Sequence, residues 1–138
     1  MTKEEEIQRC ADLIEYYKSQ LQSIETQFSY LQATLIDYMQ AKITIEKISE
    51  TKKDTDILVP IGGGTFAYAT AKNTSKILTE VGAGIAIEKN PKDAINVVQK
   101  RIETLEQSQK NMSNMSQTIQ QQINELSIKA EHLLNETQ

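Results

Sequence analysis

An apolar residue returns at alternating intervals of three and four from Ile7 to Leu35, and no Gly or Pro occurs before Pro60. Written as a heptad, the a positions are Ile7, Ile14, Leu21, Phe28 and Leu35. The d positions are Cys10, Tyr17, Ile24, Leu31, Tyr38 and Ile45, and Lys42 is the one polar intrusion at a. A 3.5-residue repeat of this length implies a helix supercoiled left-handedly on a partner helix. Thr2 and Glu5 have the spacing of a capping box that would start it.

A second block of the same kind closes the chain. Asn90 is a candidate N-cap, Pro91 suits the first helical position and Asp93 falls in the first turn. Its a positions are Ile95, Ile102, Gln109, Ser116, Ile123 and Ala130; its d positions are Val98, Leu105, Met112, Ile119, Leu126 and Leu133. The polar Gln109 and Ser116 make 107–122 the softest part of the seam. Folding the chain about residue 70 pairs positions whose numbers sum to about 140, so that Ile7 meets Leu133, Leu21 meets Ile119 and Ile45 meets Ile95. Each stripe begins and ends where the other does, which most simply gives an antiparallel helical hairpin.

All five glycines lie between the blocks, within 54–90. There, four short β-rich runs separated by turn residues read as two successive hairpins. Phe66 and Tyr68 alternate with Ala67 and Ala69, giving a large and a small face. So small a sheet cannot bury its own apolar face. Ile57, Leu58, Val59, Ile61, Phe66, Tyr68, Ile77, Val81, Ile85 and Ile87 are therefore expected to be covered by copies or relatives of the same chain. The organisation expected is one mainly α domain over 1–138: an N-terminal coiled-coil helix in 1–53, a hairpin oligomerisation insert in 54–90, and a C-terminal coiled-coil helix in 91–138.

Composition closes several alternatives. The chain has no Trp, aromatics are 5% of it, and hydrophobic residues are 38%, thin for a globular core but sufficient for long helices with one apolar stripe. A net charge of −4, with no segment forming a basic arm, argues against nucleic acid. The start of the chain does not read as a signal peptide, no apolar run reaches membrane-spanning length, and the lone Cys10 fits a reducing cytoplasm.

No catalytic, cofactor or metal site is expected. Gly62, Gly64 and Ala67 satisfy G-x-G-x-x-A, but Thr65 to Thr70 alternates as a strand where a dinucleotide fingerprint needs a helix. His132 sits at a c position without a nucleophile or oriented partner, and Cys10 at d is a small apolar core residue. The ends of the chain are more informative. Leu13, Ile128 and Leu134 lie off the a/d stripe and join Ile7, Ile14, Leu126 and Leu133, more apolar surface than the seam needs. An apolar tip of this kind can act as a weak, adaptable binding surface.

The order helix, Leu58-Val-Pro-Ile-Gly-Gly-Gly-Thr-Phe66, two hairpins, Asn90-Pro91, helix resembles the α-class subunit of prefoldin across essentially the whole chain. The β class of that family carries a single hairpin. The resemblance implies an ATP-independent chaperone in which two α and four β subunits join their hairpins into intersubunit β-barrels. A second copy of this chain and β-class subunits are thus implied partners, and the coiled-coil tips would grip unfolded polypeptides and pass them to a group II chaperonin. The rival reading is a coiled-coil scaffold or tether that oligomerises through its hairpins without chaperone activity.

Overall fold

The computed structural model describes residues 2–136 and gives the order α1 (Lys3–Glu50), β1 (Thr55–Gly62), β2 (Thr65–Ala71), β3 (Ile77–Gly82), β4 (Ile85–Lys89) and α2 (Pro91–Glu136). Two long helices flank two antiparallel hairpins, as the heptads and glycines indicate.

Both helices begin on caps. The Thr2 hydroxyl accepts from the Glu5 amide at 3.2 Å, and the Thr2 amide donates to Glu5 Oε2 at 3.1 Å, a closed capping box. Three glutamates, Glu4, Glu5 and Glu6, occupy the first turn, where the helix dipole favours negative charge. At α2, Asn90 Oδ1 accepts from the Asp93 amide at 2.8 Å while its Nδ2 donates to the Asp93 carboxylate at 3.0 Å. Pro91 fills the first helical position, which has no amide partner to lose.

Two compact units divide the chain. One combines residues up to Thr34 with those from Leu105 onward; the other is Leu35–Thr104. In the first, Ile24, Ile119 and Ile123 form a buried cluster with Ile14, Tyr17, Leu21 and Met112 packed against it. Gln109 donates a side-chain hydrogen bond to Gln32, and Lys3 pairs with Glu136 at 3.3 Å. In the second, Leu35, Ile45, Val98 and Ile102 are buried, Lys42 Nζ donates to Gln99 Oε1 at 2.9 Å, and Arg101 donates to the Tyr38 hydroxyl at 3.4 Å. These polar pairs have residue numbers that sum to 139–141, the register expected from matching the two stripes. Lys42 is thus accommodated at its a position by a partner amide rather than by exposure.

Each sheet has two strands. In β1–β2, Leu58 lies opposite Tyr68 and Pro60 opposite Phe66 on one face, and Ile57 opposite Ala69 and Val59 opposite Ala67 on the other. Both hairpins turn through residues of positive φ. Gly63 and Gly64 have φ of 59° and 72°, and Ala83 and Gly84 have 51° and 73°, the pattern of a two-residue turn that matches strand twist. A register shift precedes each turn, between Pro60 and Gly62 and between Glu80 and Gly82.

Candidate client-binding and assembly surfaces

The hairpins carry large apolar side chains that a lone chain leaves in water. Tyr68 is 90% exposed, and Leu58, Ile61, Phe66 and Ile85 are each more than half exposed. Ala67 and Ala69 are half-buried, so the bulky face of β2 is the outward one. Val59, Val81 and Ile87 are exposed, Ile57 stands at the margin of exposure, and Ile77 is half-buried. Leu78, 70% exposed, belongs with this surface although it was not among the residues singled out. Alternation in Ile77-Leu78-Thr79 was the available signal: Thr79 is buried, which turns Leu78 the other way. Among the described residues each hairpin is a two-stranded sheet, so these apolar side chains lie beside strand edges of the kind that can pair with a further strand.

The helix ends differ in kind. Cys10 is buried; Ile7, Leu13, Ile14, Leu126 and Leu133 are half-buried; Ile128 and Leu134 are exposed. Most of the candidate tip residues therefore belong to the seam, and Ile128 and Leu134 display apolar surface outright. Leu13 and Leu126 line a groove of about 360 Å³ with Cys10, edged by Glu6, Arg9 and Lys129.

A second groove was missed by the sequence reading. Ile24, Phe28 and Ser116, with Glu25, Ser29, Ser113 and Gln117, line about 540 Å³. Phe28 is half-buried against serines too small to cover it, so the soft stretch at 107–122 is also an under-filled one. Exposed Tyr16, Tyr30 and Met115 lie in the same unit, and exposed Ile36, Met39 and Ile43 lie on α1 in the other.

Among the described residues no group of three or more His, Cys, Asp or Glu could hold a metal ion, and no helix is long and apolar enough to cross a membrane. His132 is exposed. The glycine run 62–64 leads into strand β2, not a helix, so the G-x-G-x-x-A match lacks the context that a dinucleotide needs.

A helical pair with hairpins between its arms defines a class of coiled-coil assembly proteins, and the comparisons narrow it. The prefoldin subunit family model matches residues 17–136. The prefoldin subunit alpha of Archaeoglobus fulgidus is 27% identical over 86% of this chain and 87% of its own length. That of Methanosarcina barkeri is 29% identical over 98% and 96%, and that of Nitrosopumilus maritimus 37% identical over 67% and 68%. Among solved structures, the filamentous PFD from Methanocaldococcus jannaschii superposes with a TM-score of 0.62 at 21% identity, over 91% of this chain and 98% of that one. The prefoldin beta subunit from Thermococcus strain KS-1 gives 0.60 at 17% identity, over 91% and 90%. The chain belongs to the prefoldin family, as a chaperone subunit of the α class.

Proposed function

We propose that this chain is the α-type component of a cytoplasmic, ATP-independent hexamer, two copies joining four β-type subunits through their hairpins into a barrel platform. The exposed hairpin faces support this, because a soluble subunit does not leave Leu58, Phe66, Tyr68 and Leu78 in water without a partner to cover them. The relatives that are themselves prefoldin α subunits support it independently.

The coiled-coil ends serve as the client-binding tip, with unfolded polypeptides held there and passed to a group II chaperonin. The observation that supports it is apolar surface in one stretch of the helices: Ile128 and Leu134 are exposed on α2, and Leu13 and Leu126 line a groove. Each such contact is weak, and several tips engaged at once supply avidity while leaving release fast. No nucleotide is called for, since binding and transfer need only many weak apolar contacts.

The test is suppression of aggregation of an unfolded client by the assembled complex. Ile128→Ser with Leu134→Ser should weaken capture several-fold and leave the mass of the assembly unchanged. Ile7→Ser and Leu133→Ser should also loosen the seam, visible as a lower melting temperature. Undiminished capture by an intact Ile128→Ser, Leu134→Ser assembly would refute the tip assignment.

A further inference from the structure

The hairpin β3–β4 is fastened to the helices at one guanidinium. Arg101 Nη2 donates to the main-chain carbonyl of Glu80 at 2.7 Å, and Nη1 donates to the Tyr38 hydroxyl at 3.4 Å. The same guanidinium lies 5.7 Å from the centre of the Tyr38 ring, within cation–π reach. One side chain on α2 thereby joins β3 to α1, with charge-assisted donors in a rigid fork. Ala94, seven residues earlier on α2, is 0% exposed, so the helix surface one heptad from Arg101 is covered.

The hairpin is held at its base and open at its turn. Thr79 is buried, although a two-stranded sheet has no interior of its own, and Ile77 beside it is half-buried. Towards the turn on the same face, Ile87 is 47% and Ile85 59% exposed. Arg101 grips Glu80, where the covered half gives way to the exposed half and where the register shift begins. The other hairpin has no such tie among the described residues. Among the described residues, its hydrogen bonds beyond the ladder run from Asp54 to Ala71, from Thr55 to Lys52 and from Thr65 to Gly62, all within the hairpin and its entry turn.

We propose that Arg101 is a positioning residue for assembly, setting the pose in which β3–β4 presents Val81, Ile85 and Ile87 to a neighbouring subunit. This rests on the reading of the hairpins as the assembly surface. Loss of the clamp leaves the β3–β4 ladder itself untouched, but the hairpin then samples poses that do not match the neighbour. The lost order must then be regained on binding, and assembly weakens.

The experiment titrates the full chain with the organism's β-type subunit and reads complex formation by native mass, alongside amide exchange of the free chain. Arg101→Met should weaken assembly about tenfold, the size of one lost charge-assisted hydrogen bond. It should speed exchange in β3–β4 and leave β1–β2 unchanged. Arg101→Lys, which can still reach the Glu80 carbonyl but cannot fork to Tyr38, should recover part of the affinity. Ile85→Ser is the surface control. Normal assembly of Arg101→Met while Ile85→Ser fails to assemble would overturn the positioning role and leave the assembly face standing. Normal assembly of both would overturn the face itself and the proposal with it. Should Arg101→Met lose helical signal, the charge-retaining Arg101→Lys carries the same comparison.

Discussion

At the residue scale, the two turns show how closely backbone angle and side chain are coupled. Gly63 and Gly64 turn at positive φ without a Cβ to object, whereas Ala83 holds φ of 51° with one. A left-handed conformation costs an ordinary L-residue about 1–2 kcal/mol, and Asn tolerates it better than Ala. Ala83→Asn places Asn-Gly in a turn that favours it, and should slow amide exchange in β3–β4 several-fold, on the order of 0.5–1 kcal/mol of local stability. Faster exchange would show that the turn is held by something other than its own angles. The glycine turn was legible in the sequence because Gly62-Gly-Gly64 has few other uses. Ala83 at positive φ was not, since alanine carries no local preference for it, and neither was the Arg101 clamp. An arginine at a g position beside the seam looks like any solvated charge until the hairpin's path brings a carbonyl to it.

Elements were the most legible level, because each is decided by a short period or a cap. The heptads foretold both helices and their register, which the Gln32–Gln109 and Lys42–Gln99 pairs realise within their own units. The caps at Thr2 and Asn90 stand where capping chemistry put them. Packing between elements was less legible. Gln109 and Ser116 announced a soft seam, but the groove beside Phe28 depends on how far the serines fall short of the ring, which spacing does not encode. Filling it supplies a prediction for the element. Ser116→Leu restores an apolar a position, and by the burial of one leucine side chain should stabilise the coiled coil by about 1–2 kcal/mol in urea unfolding. No gain, or a loss, would mean that Phe28 already packs against its neighbours. Off the a/d stripe, Ile128 and Leu134 are exposed while Leu13 lines a groove with Leu126, a difference that heptad position alone does not give.

For the whole molecule, the decisive property is that this chain is unfinished by itself. Among the described residues, aliphatic and aromatic side chains stand exposed on both hairpins and each sheet stops at two strands. Two-stranded sheets are marginal alone in water, so in the proposed assembly the stability of the hairpins should depend on subunit concentration. The proposed composition of that assembly is tested by the intact mass of whatever complex is recovered with this chain from its own cells. Two copies of this 15.6 kDa chain with four of a β-type subunit are expected. A monomer or homodimer with no β-type partner would contradict that composition.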